Sequence, residues 1–213
     1  MPSLSSSSQT RLLRSLAKEG IDRRVLRAMA AIPRAEFVTE DDRASAYEDT
    51  ALSIGYGQTI SQPYIVAFMT EKLELLPTDR VLEVGTGSGY QAAVLSKLVA
   101  EVYTVEIVPE LAEQAAERFK KLGLSNINAR LSDGSLGWLE MAPYDCIMVT
   151  CAPDHVPMRL INQMNDVGRM ILPVGGRHRL QHLELLRKRQ GRIVSAEVLP
   201  VRFVPMVGQV EHE

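Results

Sequence analysis

Apolar residues along this chain follow two rhythms, and the change falls near residue 80. In the first stretch the spacing is helical and interrupted. Leu12, Leu13 and Leu16 suit one face of a helix, and Val25, Leu26 and Met29 one face of the next, so residues 10–31 read as two helices. Asp22 stands where it would cap the second, and Pro33 where it would stop it. Phe37, Tyr47, Leu52 and Ile54 are scattered among charges, which reads as a loop-rich section. Gly55 and Gly57 mark irregular backbone. Ser61, Gln62 and Pro63 then have the form of an N-cap with proline in the first turn, opening a helix that runs to about Leu76 and ends at Pro77.

From Arg80 short apolar runs alternate with helical patterns. Val81, Leu82 and Val84 read as a strand, and a helical set (Ala92, Ala93, Leu95, Leu98, Val99) follows a glycine turn. Residues 102–107 are a second strand. Pro109 opens a helix carrying Leu111, Ala115, Phe119 and Leu122, which Gly123 stops. Residues 127–131 are a third strand that ends at Asp133-Gly134, and residues 144–150 have the continuous apolar run of a buried parallel strand. A helix over 157–164 and a strand over 170–174 follow, and the segments 183–186, 193–199 and 201–204 read as antiparallel β. The alternation predicts a Rossmann-like, doubly wound α/β fold: a mostly parallel sheet with helices on both faces, antiparallel C-terminal strands and an N-terminal helical extension. Residues 1–79 would form the extension and a substrate-cleft segment, packed with a cofactor-binding core over 80–213 into one compact domain. Ligands of such a sheet sit at the carboxyl ends of its strands.

Three glycines, Gly85, Gly87 and Gly89, close the first strand of that core. A dinucleotide fingerprint is G-x-G-x-x-G, but Tyr90 stands where its last glycine belongs. The turn is instead G-x-G-x-G, with Glu83 two residues ahead of it. An acid there would repel a pyrophosphate and accept a hydrogen bond from a cationic, amine-bearing ligand. Glu106 ends the second strand roughly 20 residues past the turn, where this fold places the acid that accepts ribose hydroxyls. Asp133 ends the third strand, placed to accept from an adenine amine, and Gly134 beside it would let the ring lie close. As a plain β-turn the same pair needs no ligand.

Composition narrows the classes. The chain of 213 residues is 46% hydrophobic and 23% charged, with net charge −2, an ordinary globular balance with no field to draw nucleic acid or an anionic membrane. The basic cluster Arg187, Lys188, Arg189 and Arg192, with Arg177 and Arg179 nearby, lacks interleaved aromatics and reads as a solvated hairpin. Cys146 and Cys151 share one apolar run and read as buried free thiols, not as a disulfide framework or metal site. No apolar run is long enough to span a membrane, the N-terminus lacks a signal-peptide pattern, and its serine run reads as disordered. A cytoplasmic location is expected.

The stretches IPRAEFV (32–38), AYEDTALSIGYGQTISQP (46–63), VLEVGTGSGYQAAVLS (81–96), VYTVEI (102–107), SDGSLGWLEMAPYDCIMVTCAP (132–153), GRMILPVG (168–175) and VRFVPMVG (201–208) together cover most of the chain. In them it resembles the bacterial protein-L-isoaspartate O-methyltransferases, a family of class I methyltransferases that use S-adenosylmethionine. The glycine motif is widely shared, whereas GQTISQP is far more specific. The resemblance implies that Ser61 is the active-site serine and that Gln58, Thr59, Ile60 and Ser61 line the cofactor and substrate cleft. It implies cofactor contacts from Glu83, Gly85, Thr86, Gly87, Ser88, Gly89, Glu106, Ile107, Asp133 and Gly134. It also implies that Val204 and Pro205, with Thr59 and Ser61, grip the substrate. The chain departs from the family pattern at Ala35 and Thr39 (commonly His and Pro), Ser132 (Gly), Leu139 (Pro) and Cys151 (Ala). None of these removes a charged or hydroxyl group that the chemistry needs.

The implied reaction moves a methyl group from S-adenosylmethionine, leaving S-adenosylhomocysteine, to the free α-carboxyl of an isoaspartyl residue. That acceptor is ionised at neutral pH, so no general base is needed, and no metal is expected. The partners implied are isoaspartyl proteins and peptides, with no nucleic acid or membrane, and the chain would be a monomer or weak oligomer. The strand-like VRFVPMV is read as an edge for sequence-blind backbone pairing with an extended peptide. The N-terminal helices are expected to close over the cleft, with Gly55 and Gly57 near a moving segment. Two other enzymes compete: a small-molecule methyltransferase, against which GQTISQP and VRFVP argue, and a nicotinamide oxidoreductase, against which the glycine spacing argues. A nucleic-acid module has only the basic cluster in its favour.

Overall fold

The computed structural model describes residues 4–176 and 180–209, with side chains from residue 7 onward. Helices α1 (Leu4–Lys18) and α2 (Arg23–Ala30) open the chain. The serine run is therefore not disordered: it forms the first turns of α1, whose buried Leu12 and Leu16 anchor it to the core. Asp22 caps α2 as read, accepting from the Arg24 N–H at 2.6 Å. The supposed loop section then contains a hairpin, β1 (Leu52–Gly55) and β2 (Gln58–Ile60). Its turn runs Gly55, Tyr56, Gly57 with φ of +83°, +54° and +70°. Consecutive left-handed residues at the tip are what a tight hairpin requires, and two of the three are glycine.

Helix α3 (Pro63–Lys72) stops four residues earlier than read, because Glu74 turns left-handed at φ +48°. Its N-cap position is Gln62, not Ser61, and no side chain at that position caps it. Asp49 does so from 15 residues away, accepting from the Tyr64 N–H at 2.8 Å and from Gln62 Nε2 at 3.0 Å. Ser61 is thereby spared the capping task.

The core alternates β3 (Arg80–Val84), α4 (Tyr90–Leu95), β4 (Glu101–Glu106), α5 (Pro109–Lys121), β5 (Ile127–Leu131), β6 (Tyr144–Val149), α6 (Met158–Asn162) and β7 (Met164–Val174). An antiparallel pair, β8 (Gln181–Arg189) and β9 (Arg192–Val201), ends the sheet. The strand order is β5-β4-β3-β6-β7-β8-β9, parallel from β5 through β7 and antiparallel beyond. This is the doubly wound, mostly parallel fold that the alternation predicted. The two tail strands read over 193–204 are one strand, and residues 202–206 leave the sheet.

Alternate residues of the strands feed two cores. Val81, Val102 and Cys146 face the one shared with α1 to α5, and Leu82, Tyr103 and Ile147 the one under α6. The first core is continuous across residue 79, joining Leu16, Met29 and Met69 to Val81 and Leu95. After β3 the chain adds β4 and β5 on one side, then crosses to β6 on the other. The crevice between β3 and β6, at their carboxyl ends, is the switch point where such sheets bind ligands.

Candidate active site

A cleft with about 790 Å³ of space between its walls, open solvent included, lies at that switch point. Its floor is the ends of β3, β4 and β6. Gly85, Thr86, Gly87 and Ser88 line it after β3, and Glu106 and Ile107 after β4. Gly134, Thr150 and Cys151 complete the floor. The roof is the hairpin end, Gln58 to Ser61, and the tail from Val204 to Val207. No residue of α1 or α2 lines the cleft, so the covering element is the β1–β2 hairpin and not the N-terminal helices.

The glycine turn is shaped by what crosses beneath it. A Cβ on Gly85 would lie 2.5 Å from Thr150 Oγ1, and φ there is +96°. Thr150 donates its hydroxyl to the Val84 or Gly85 carbonyl, at 3.0 and 2.5 Å, pinning the turn to the end of β6. Glu106 is the best-held acid of the site. Its Oε2 accepts from the Gly87 N–H at 2.7 Å, and its Oε1 from the N–H groups of Ile107 and Val108 at 2.9 and 3.0 Å. Three fixed donors orient a carboxylate that still has lone pairs for a ligand's hydroxyls.

Glu83 departs from its reading. It is fully buried and does not line the cleft. Its Oε2 accepts from Thr104 Oγ1, whose oxygen lies 2.6 Å from that of Thr86, and its Oε1 has no partner with hydrogen-bond geometry. Burial pushes its carboxyl up to about 8; the Thr104 hydrogen bond opposes this and the charge of Glu106 adds to it. A group placed so supports the turn from below through Thr104 and Thr86. Gly89 likewise lies outside the cleft lining, packed on Phe119.

Asp133 is also occupied. Its Oδ1 accepts from the N–H and hydroxyl of Ser135, at 2.9 and 2.7 Å, and its Oδ2 from the Gln209 N–H at 2.6 Å. Burial raises its carboxyl, but these hydrogen bonds outweigh burial and hold it below the usual range. It caps the turn that presents Gly134 to the cleft, and the tail lies against it.

Ser61 is half-buried, and no described residue hydrogen-bonds its hydroxyl. It stands where the cleft meets a second groove, lined by Asp49, Ile65, Leu180 and the 200–204 segment among others. Thr59, Ser61, Thr150 and Val204 line both. The tail wall is rigidly held. Gln181, buried, takes the Phe203 N–H on Oε1 at 2.6 Å and donates Nε2 to the Phe203 carbonyl at 3.2 Å. Ala152 donates to the Val204 carbonyl and accepts from the Met206 N–H, both at 2.8 Å. These bonds correct the reading of VRFVPMV as a free strand edge: much of its backbone is already spent inward.

Thr150 was not singled out in the sequence, though the rule that ligands gather at strand ends would have found it. Nor were Gln91, Val105, Met206 and Val207, all of which line the cleft. Cys146 is buried as read, but Cys151 is half-buried at the cleft, where burial pushes its thiol up to about 12. The basic cluster lies at the opposite end of the strands, where Arg187 pairs with Glu74 at 2.7 Å and Lys188 donates to the Met164 carbonyl at 3.0 Å. Arg177 and Arg179 lie outside the described residues. Among the described residues no cluster of three or more His, Cys, Asp or Glu could hold a metal ion, and no helix is long and apolar enough to cross a membrane.

A family model for Protein-L-isoaspartate(D-aspartate) O-methyltransferase matches residues 7–211. The chain belongs to that family. A protein-L-isoaspartate O-methyltransferase 2 of Syntrophobacter fumaroxidans is 53% identical over 194 residues, covering 91% of this chain and 78% of that one. A protein-L-isoaspartate O-methyltransferase of Myxococcus xanthus is 53% identical over 198 residues, 91% of this chain and 93% of that one. A solved protein-L-isoaspartate O-methyltransferase superposes with a TM-score of 0.89 at 33% identity, covering 95% of this chain and 67% of that chain. A family enzyme described as putative, from Plasmodium falciparum and solved with S-adenosyl-L-homocysteine, superposes at 0.82 with 25% identity, covering 92% and 97%. In this protein-L-isoaspartate O-methyltransferase family member, the half of the fold that cradles a cofactor and the groove beside it meet at Ser61.

Proposed function

We propose that this chain is the protein-repair methyltransferase its family name describes: it uses S-adenosylmethionine to methylate the free α-carboxyl of L-isoaspartyl residues in damaged proteins and peptides. The observation that carries the reading is the junction of two cavities at Thr59, Ser61, Thr150 and Val204. One cavity is floored by a glycine turn and an oriented acid, as a nucleoside needs. The other is a groove that a peptide can enter. The residues present fit the cofactor: Glu106 faces the cleft with its orientation fixed by three N–H groups, beside a glycine turn that leaves the backbone open to a ligand. Bound there, S-adenosylmethionine supplies an electrophilic methyl group.

Glu106 would hold the ribose hydroxyls, the turn from Gly85 to Ser88 the methionine part, and Gly134 the adenine. Asp133 would offer an adenine amine the remaining lone pair of Oδ2, beside the Gln209 N–H. Ser61, with an uncommitted hydroxyl, would donate to one oxygen of the substrate carboxylate and leave the other free to attack. A neutral donor orients an anion without quenching it, and no base is needed for a group already ionised. The hairpin and tail exclude water from the junction. The methyl ester then cyclises to a succinimide, whose hydrolysis restores part of the normal aspartate. Residues 1–79 would act as the substrate-side extension of an 80–213 core, working as a monomer or weak oligomer in the cytoplasm, without nucleic acid or membrane.

The test is methyl transfer from labelled S-adenosylmethionine to paired peptides that differ only in an isoaspartyl or aspartyl linkage. Base-labile labelling of the isoaspartyl peptide alone is expected. Cofactor binding with neither peptide labelled would sink the repair reading.

A further inference from the structure

Among the described residues, two charged side chains line the groove beside Ser61, Asp49 and Arg202. They are in opposite states. Both oxygens of Asp49 are committed, to the Tyr64 N–H and to Gln62 Nε2. Arg202 is exposed and makes no hydrogen bond, ion pair or ring contact. It is a cation without a partner in a groove whose one other charge, Asp49, is already engaged.

Its mounting is firm. Phe203 packs against the core and is clamped at both N–H and carbonyl by buried Gln181. Phe203 and Val204 stand beside Arg202 in the groove wall, and Val204 also lines the cleft. Arg202 is therefore a guanidinium carried on fixed backbone two residues from the junction, not a charge on a loose loop. A guanidinium fork matches a carboxylate well.

We infer that Arg202 is a specificity residue that selects isoaspartyl peptides with an acidic side chain next to the damaged site. The inference rests on the function proposed above. It names a substrate class: a damaged linkage with a second carboxylate beside it, as in acidic, exposed segments. Ser61 would receive the α-carboxylate, and Arg202 the neighbouring one. Exposed pairs are worth little, so the preference is modest, about 2- to 5-fold in kcat/KM over a neutral neighbour. It weakens as salt shortens the Debye length.

The experiment compares isoaspartyl peptides that carry Glu, Gln or Lys immediately before or after the damaged residue. Each is assayed with wild type, Arg202→Gln and Arg202→Lys, at low and at roughly threefold physiological salt. The expected result is the order Glu, Gln, Lys on at least one side in wild type. The Glu-to-Gln ratio should shrink with salt, fall to about one in Arg202→Gln and survive in Arg202→Lys. A wild-type ratio of one on both sides overturns the inference while the repair function stands. So does a ratio unchanged in Arg202→Gln. An equal fall for all three peptides in that variant also overturns it, by placing the guanidinium on the isoaspartyl carboxylate itself. Failure to methylate any isoaspartyl peptide, with S-adenosylhomocysteine still bound, overturns the function and this inference together.

Discussion

The floor and the roof of the active site are built by different means. The floor is strand ends and the turns that follow them. Its acid, Glu106, is oriented by the N–H groups of its two successors and of Gly87 on the adjacent strand's turn. Its strands are buried in the middle of a seven-stranded sheet. The roof is chain drawn together from far apart. Asp49 holds the start of α3, Gln181 holds Phe203, Ala152 holds Val204 and Met206, and Asp133 holds Gln209. Each tie is one or two hydrogen bonds, and the hairpin tip from Gly55 to Gly57 is exposed. A floor set within the sheet, under a roof gathered from separate segments, suits an enzyme that must admit both a small cofactor and a protein chain.

Arg34 joins the two. It is fully buried, donates Nε to the Ala46 carbonyl at 2.9 Å, and lies 5.0 Å from the ring centroid of Tyr90, which lines the cleft. Its second tie, from Nη2 to the Thr50 carbonyl at 3.4 Å, brackets Asp49. Desolvation lowers its guanidinium to about 10, and the nearby Tyr90 and Asp49 oppose that fall. It therefore remains charged at neutral pH.

The largest effect should come from the floor. Glu106→Ala removes the acceptor of three N–H groups and the expected ribose partner. A hydrogen bond to a charged group is worth about 1.5–3 kcal/mol, so losing one to each of the two ribose hydroxyls should lower affinity for S-adenosylhomocysteine by at least about 100-fold, read by titration calorimetry. Ser61→Ala should behave as a roof change. Its kcat/KM for an isoaspartyl peptide should drop roughly 10- to 100-fold while S-adenosylhomocysteine affinity moves by less than about 3-fold. A comparable loss of cofactor affinity would mean the junction is not divided as described.

Much of the floor was legible in the sequence because its determinants are local. The strand runs, the glycine spacing and the distance to Glu106 all lie within one βαβ unit, which formed where it was read except that α4 stops at Leu95, short of Leu98 and Val99. The exception was Glu83: spacing gives its position but not the direction its side chain takes, and alternation turned it into the core. The roof was legible only through its likeness to a known family. Nothing near Ser61 reveals that Asp49 frees it from capping, and nothing in VRFVP reveals Gln181. Strands of four and three residues in a polar stretch carry too little periodicity to read, which is why the hairpin appeared as loop.

Glu83 gives the floor a pH signature. Its native carboxyl is held at about 8, against an ordinary value of 4.5 once unfolded. Between those values the native state binds the extra proton, so stability falls as pH rises, by up to about 1.4 kcal/mol per unit. Glu83→Gln should flatten that part of the decline in urea melts at pH 6, 7 and 8. An unchanged slope would show that some other group sets it.

The smallest expected effect tests the division most directly. Asp49→Ala removes the remote cap of α3 and the partner of Gln62, but touches neither Glu106 nor the glycine turn. Loss of a helix cap typically costs about 1 kcal/mol, a fall in Tm of roughly 2–4 °C for a chain of this size. Ser61 lies between the Hairpin end and the capped turn, so its position should loosen, and KM for an isoaspartyl peptide should rise more than Kd for S-adenosylhomocysteine. If both constants rise together, the roof is part of the cofactor site, and Arg34 and Tyr90 are the bridge through which the disturbance reaches the floor. If only the peptide constant rises, the two regions answer separately, and the groove alone decides which damaged chains are taken.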